Sequence, residues 1–198
     1  MAKRESSFIN MLVTLFAVTF IASATLGGIY ELTKEPIAKA LQAKKEAAIK
    51  KVFTNDSIAI EFDTIQSYSI MPKSGKDSIF FNEAYKENKL VGTAIETYTD
   101  NGFSGRFSIM VGFDTVGKII NTAILSHKET PGLGDKMDAS KSDFPNQFQG
   151  KMPTKDNLTV KKDGGKVDAI TAATISSRAF CDAIDRAYKV LDKKGGKE

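Results

Sequence analysis

From Ser6 to Tyr30 no side chain is charged, and the heart of that stretch, Phe8 to Ala22, is mostly apolar. Crossing about 30 Å of hydrocarbon at about 1.5 Å per residue takes roughly 20 residues. The run is therefore long enough for one transmembrane helix that ends at Gly27-Gly28, with Tyr30 at the interface. A cleaved leader is the competing reading: Lys3 and Arg4 precede an apolar Phe8 to Phe20, and Ala22-Ser23-Ala24 resembles a small-residue cleavage site. Either reading exports the rest of the chain. The local charge count opposes this orientation, because Lys34, Lys39, Lys44 and Lys45 follow the span while only Lys3 and Arg4 precede it. Long domains cross largely regardless of such charges, so the large part is expected outside.

The remainder is long enough for one folded domain. Of 198 residues, 41% are hydrophobic and 26% charged, which excludes a disordered or collagen-like chain. A net charge of +4 without a long basic block argues against nucleic acid as a partner. The lone cysteine, Cys181, closes no intramolecular disulfide and builds no zinc site with the lone histidine, His127.

After the span, Glu35 to Phe53 reads as an amphipathic helix that starts at Pro36 and places Ile37, Leu41, Ala48, Ile49 and Val52 on one side. From Thr64 to His127 short runs of Ile, Val, Phe, Tyr and Thr alternate with turn residues, predicting a sheet. Ile79–Tyr85 and Leu90–Tyr98 flank Glu87-Asn88-Lys89, and Arg106–Phe113 and Lys118–Ser126 flank Asp114 to Gly117, so two antiparallel hairpins are expected. Asp135 to Gly165 is polar, with an aromatic island at Phe144 and Phe148, and reads as a long excursion with one short helix. A last helix is expected over Ser176–Lys193, with Phe180, Ala183, Ile184, Ala187 and Leu191 inward and Ser176 or Ser177 as cap.

Two segments stand out from this frame. His127-Lys128-Glu129-Thr130-Pro131-Gly132-Leu133-Gly134 leaves a strand with one proline and two glycines, which let backbone approach a flat partner closely; a stiff structural turn is the alternative. Asp168 to Arg178 crowds small residues and four hydroxyls, Thr171, Thr174, Ser176 and Ser177, ahead of a helix start. Helix N–H groups and the positive end of the helix dipole favour an anion there, although plain capping needs only one of those hydroxyls. Other chemistry is poorly supported. Gly102-Phe103-Ser104-Gly105 breaks the spacing of a hydrolase nucleophile elbow, and no G-x-G-x-x-G follows a strand. His127 at a strand end is expected to be structural rather than a proton donor, and Cys181 an inert small hydrophobe.

Glu129 to Gly134 spells Glu-Thr-Pro-Gly-Leu-Gly, and Thr171-Ala172-Ala173-Thr174-Ile175-Ser176 is similar to a Ser/Thr-Gly-Ala-Thr-x-Ser/Thr motif. In these two motifs, and over essentially its whole length, the chain resembles the G subunit of the Rnf complex, a membrane ferredoxin:NAD oxidoreductase that couples electron flow to ion transport. It is also similar to the C subunit of the sodium-translocating NADH:quinone oxidoreductase, although the compact length fits the Rnf subunit better. The resemblance implies an FMN held covalently by a phosphoester on Thr174, attached by a separate flavin transferase that uses FAD. It further implies cofactor contacts from Thr171, Ala172, Ala173, Ile175, Ser176 and Ser177, and from Glu129, Thr130, Gly132, Leu133 and Gly134. Asp168 and His127 support the motifs from outside them. One departure stands: the usual glycine is Ala172, which adds a methyl where the chain should pass close to the transferase or the phosphate.

The resulting expectation is an α+β domain, a largely antiparallel sheet flanked by helices, with one N-terminal transmembrane helix. Residues 1–30 would anchor the chain in the cytoplasmic (inner) membrane, 31–54 form a linker helix, 55–194 an FMN-binding domain on the outer (periplasmic) side, and 195–198 a frayed tail. Other membrane subunits of the complex would be its partners, and no metal site is expected. A membrane-tethered module that binds an anion or ligand without redox chemistry is the alternative, and a purely structural assembly subunit the third reading.

Overall fold

The computed structural model describes residues 7–55, 58–71 and 77–195. Lys3, Arg4 and residues 196–198 of the expected tail lie outside the described residues. The chain divides into two compact units, residues 1–44 and 45–198.

The first helix, α1, runs over Phe8–Val52. It is long and apolar enough to cross a membrane, and its apolar side chains, Phe8, Leu15, Phe20 and Leu26 among them, are exposed. The hydroxyls of Thr14, Thr25 and Thr33 donate to the carbonyls of Asn10, Ile21 and Ile29, four residues back, so these polar groups are satisfied within the helix. The expected stop at Gly27-Gly28 and fresh start at Pro36 do not occur, because α1 passes through all three residues. Proline removes a single intrahelical bond, and the Ala, Leu, Lys and Glu residues on either side are strong helix formers that carry the helix across it.

The second unit is built on a five-stranded antiparallel meander, β1 (Thr64–Ile70), β2 (Ile79–Lys86), β3 (Lys89–Thr99), β4 (Phe107–Phe113) and β5 (Ile119–Ser126), in sequence order. Both expected hairpins are present. Glu87 and Asn88 have φ of 49° and 60°, the left-handed pair that a two-residue hairpin turn requires, and Lys89 therefore joins β3 opposite Lys86. In the other, the Asp114 carboxylate accepts from the Val116 and Lys118 N–H groups at 2.9 and 2.8 Å.

Strands β3 to β5 are buried on both faces over most of their length, with Thr93, Thr97, Thr99, Asn121 and Thr122 buried among their apolar residues. One face packs Phe81, Ile95, Ile109, Val111 and Phe113 against α2 (Thr174–Gly195) through Phe180, Ala183, Ile184 and Ala187. The other packs Ala94, Met110, Ile120 and Ala123 under the last turns of α1, Ala48 and Val52, with Phe53. Residues 45–52 thus belong to the globular unit, and the fold is α+β.

Between β5 and α2 the expected long excursion carries three short 3-10 turns, Gly134–Met137, Phe144–Phe148 and Lys161–Asp163, rather than one short helix. The aromatic island anchors it: the Phe144 and Phe148 rings lie 5.3 and 5.2 Å from that of Phe180.

The far end of α2 is fastened too. Lys194 Nζ donates to the buried Glu83 carboxylate and to the Tyr68 hydroxyl, while Tyr68 and Tyr85 donate to Glu83 at 3.0 and 2.9 Å. Burial pushes the Glu83 carboxyl up, but the bonds from Lys194, Tyr85 and Tyr68 outweigh it and hold the group below its ordinary value. A lowered folded pKa contributes stability above the unfolded value, and this is lost as pH falls through and below the ordinary 4.5. Lys194→Met is expected to reduce that acid-side loss and to lower neutral-pH stability. Because Lys194 is partly exposed, screening limits the loss to about 1 kcal/mol, read from urea denaturation at pH 7 and pH 4.

Candidate functional site

The two segments singled out in the sequence meet at the N-terminal end of α2. A cleft of about 250 Å³ is lined there by Glu129, Thr130, Leu133 and Gly134 from one, by Ala172 to Ser176 from the other, and by Phe103.

The first wall leaves β5 at Ser126. His127 Nδ1 accepts from the Glu129 N–H at 3.2 Å, so the imidazole shapes the turn, and His127 does not line the cleft. The Leu133 N–H then bonds the Thr130 carbonyl at 3.1 Å, closing a turn around Pro131 and Gly132. Gly132 has φ of 78°, the position where such a turn calls for glycine, so its role is to form the wall rather than to line it.

The second wall is held from behind. Gln147 clamps the backbone of Asp168, accepting from its N–H at 2.8 Å and donating to its carbonyl at 3.1 Å. The Asp168 carboxylate faces away in an exposed pair with Lys161, 2.6 Å apart. Next, Ile170 and Ala173 close a turn by a 3.0 Å backbone bond, with Thr171 and Ala172 at its corner. Thr171 is exposed outside the cleft lining.

Helix α2 begins at Thr174, two residues earlier than expected, so Ala173 occupies the cap position and both serines fall in the first turn. Neither serine caps. Ser177 Oγ accepts from the Ile170 N–H at 2.9 Å and donates to the Ala173 carbonyl at 3.0 Å, locking the turn from the buried side, away from the cleft. Ser176 Oγ donates to Glu129 Oε2 at 2.7 Å. Thr174 is half-buried, lines the cleft at the first helical position, and its hydroxyl has no hydrogen-bond partner among the described residues. It stands beside first-turn N–H groups with no intrahelical acceptor, at the positive end of a 22-residue helix.

Sequence reasoning missed Phe103. The residue is 67% exposed, on a turn closed by the Gly105 N–H to the Gly102 carbonyl at 3.2 Å. The signal lies in an aromatic residue between two glycines, which stands out in the sequence only as a broken hydrolase pattern. With Leu133 and Ile175, also exposed, it gives the cleft an apolar rim.

A larger cavity of about 580 Å³ lies between the other side of α2 and residues 153–163, and shares Ile175 with the cleft. Its Arg178 is engaged by Asp163 through two 2.7 Å bonds. Cys181 lines it too, but burial pushes its thiol up to about 12, so it stays protonated and unreactive.

The departure at Ala172 has a backbone cost. Ala172 has φ of 60°, a left-handed conformation that disfavours a residue with a Cβ. Ala172→Gly is expected to stabilise the chain by about 0.5–1 kcal/mol after the added flexibility of the unfolded state is subtracted. Calorimetry should read this as a Tm roughly 1–4 °C higher.

Comparison with known proteins agrees with this geometry. Residues 102–189, which include both walls and Phe103, match the FMN-binding domain family. A protein of Pasteurella multocida, named as the G subunit of an ion-translocating oxidoreductase complex, is 34% identical over 199 residues, covering 95% of both chains. The protein of that name in Vibrio vulnificus is 33% identical over 81% of this chain and 78% of its own, and that of Yersinia pestis 44% identical over 54% and 53%. With identity sustained from the N-terminal helix through the cleft, the chain belongs to the family of G subunits of ion-translocating oxidoreductase complexes.

Proposed function

We propose that this chain is the electron-transfer flavoprotein subunit of a membrane-bound, ion-translocating redox complex of the ferredoxin:NAD type, carrying FMN in phosphoester linkage to Thr174. The carrying observation is the Thr174 hydroxyl, without a hydrogen-bond partner among the described residues, at the start of α2 and inside a cleft assembled from both motif segments. Loading by a flavin transferase would form the Thr174 Oγ–phosphorus bond and break the phosphoanhydride of FAD, with AMP leaving and the hydroxyl proton lost to solvent. The resulting phosphodiester keeps one negative charge, which the first-turn N–H groups of α2 are placed to receive. When bound, the isoalloxazine ring supplies the electron chemistry.

The chain's own part is to hold and shield that ring. Phe103, Leu133 and Ile175 offer apolar surface to its faces, and a cleft of about 250 Å³ leaves part of so large a group open to a redox partner. Residues 8–30 would hold the domain at the outer, periplasmic face of the inner membrane, beside the other membrane subunits. The test is in-gel ultraviolet fluorescence of the full chain after denaturing electrophoresis, from cells with and without the flavin transferase. Denaturation strips loosely held flavin, so a band that fluoresces only with the transferase supports the proposal. A dark band under both conditions overturns the covalent linkage and favours a binding module without redox chemistry.

A further inference from the structure

Glu129 was expected among the cofactor contacts, yet its carboxylate is turned into the protein and only 5% of the residue is exposed. Oε1 accepts from the Ser104 N–H at 3.0 Å, on the turn that carries Phe103. Oε2 accepts from Ser176 Oγ at 2.7 Å, in the first turn of α2 that carries Thr174. One side chain thus ties together three segments distant in sequence: residues 102–105, 129–134 and the start of α2.

Two glycines show how closely these segments are drawn onto the carboxylate. A Cβ on Gly102 would lie 2.7 Å from Glu129 Oε1, and a Cβ on Gly134 would lie 2.5 Å from Glu129 Oε2 and 2.6 Å from Ser176 Oγ. At Gly134 the carboxylate and the Ser176 hydroxyl fill the space a side chain would need, while at Gly102 the Gly105 carbonyl oxygen excludes a side chain together with the carboxylate. A buried carboxylate is costly unless its oxygens are bonded, so both bonds must be kept and the spacing of the three segments is fixed by them.

We propose that Glu129 is a positioning residue of the flavin site: it sets the distance and angle between the Phe103 turn and the Thr174 helix start, and so the immobility of the ring held between them. This rests on the flavin reading of the cleft, and the experiment separates the two. The amide of Glu129→Gln still accepts from the Ser104 N–H through Oε1 and can donate to Ser176 Oγ, whereas Glu129→Ala loses both bonds.

The full chain, expressed with the transferase, is compared as wild type, Glu129→Ala, Glu129→Gln and Gly134→Ala by visible circular dichroism and flavin fluorescence anisotropy in the folded state. Glu129→Ala and Gly134→Ala should each lose most of the induced dichroism and show lower anisotropy, while Glu129→Gln stays near wild type. Wild-type dichroism and anisotropy in Glu129→Ala would overturn the proposal. A parallel measurement needs no flavin: in chain expressed without the transferase, Ser104 amide exchange should quicken about tenfold or more in Glu129→Ala and little in Glu129→Gln. If the wild-type chain proves dark, the flavin reading fails, and this exchange measurement alone decides whether Glu129 ties the segments. Unchanged Ser104 exchange in Glu129→Ala would then overturn the tie as well.

Discussion

Thr174→Val is expected to abolish covalently held flavin completely: the fluorescent band of the denatured wild-type chain falls to background, while protein yield and far-ultraviolet circular dichroism stay unchanged. The substitution exchanges one hydroxyl for a methyl of nearly the same size. Because that hydroxyl has no hydrogen-bond partner among the described residues, no bond of the folded state is lost with it. Threonine and valine differ little in helix propensity, and the first helical position makes no intrahelical demand on the side chain, so the stability change should stay within about 0.5 kcal/mol. What disappears is the only group at that position able to form a phosphoester. Thr174→Ser keeps the nucleophilic oxygen and should keep a band. A Thr174→Val chain that still fluoresced would move the attachment elsewhere, and Thr171, exposed three residues earlier at the corner of the same turn, would be examined next.

Much of this architecture was legible because it rests on local periodicity and turn chemistry. Thr64 is the first residue of β1, and both hairpins lie where Glu87-Asn88 and Asp114 to Gly117 interrupt the apolar runs. The apolar face of α2 was equally readable from Phe180, Ala183, Ile184 and Ala187 at helical spacing. Helix ends were less so, since they are decided by competition between caps. Ser176 and Ser177 are good capping residues by type, but here one is drawn to Glu129 and the other to the Ile170 N–H and the Ala173 carbonyl, and the helix starts before them. Pro36 shows the same limit from the other side: its local preference for a helix start was outweighed by helix formers on both flanks of α1. At the site, proximity in sequence gathered each wall separately. Bringing Phe103 to Thr174 required the path of β4 and β5 and a hydrogen bond spanning 25 residues, which no local pattern carries. The inward turn of Glu129 was hidden for the same reason, because a motif records that a carboxylate is present and not which way it faces.

Gly112→Ala should produce the largest loss of stability of any single methyl added to the sheet. Gly112 lies in the interior of β4, opposite Ala94 of β3 and Asn121 of β5. Ordinary strand geometry would accept alanine there, so the demand for glycine comes from the layer above. A Cβ at Gly112 would overlap the Val52 carbonyl oxygen and lie 2.8 Å from the Val52 carbonyl carbon and 2.9 Å from its Cβ. These atoms belong to the last turn of α1, and they are held in place from β5: Asn121 Nδ2 donates to the Thr54 and Lys51 carbonyls at 2.7 and 3.3 Å, and Asn55 Nδ2 donates to the Ile120 carbonyl at 2.9 Å. Backbone fixed on both sides cannot rotate away as a side chain would, so the added methyl must part the helix end from the sheet or break these bonds. We expect a loss of about 2–4 kcal/mol, or roughly 4–16 °C in Tm. Gly92→Ala provides the contrast. Its Cβ would meet the edge of the buried Phe53 ring at 2.8 Å and the Phe113 carbonyl oxygen at 3.1 Å, both less close than the Val52 carbonyl oxygen at Gly112, so its cost should be smaller. Calorimetry on both variants orders them. Equal losses would mean that the end of α1 yields as easily as a phenyl ring, and the α1–sheet contact would then be too soft to fix residues 45–52 within the globular unit.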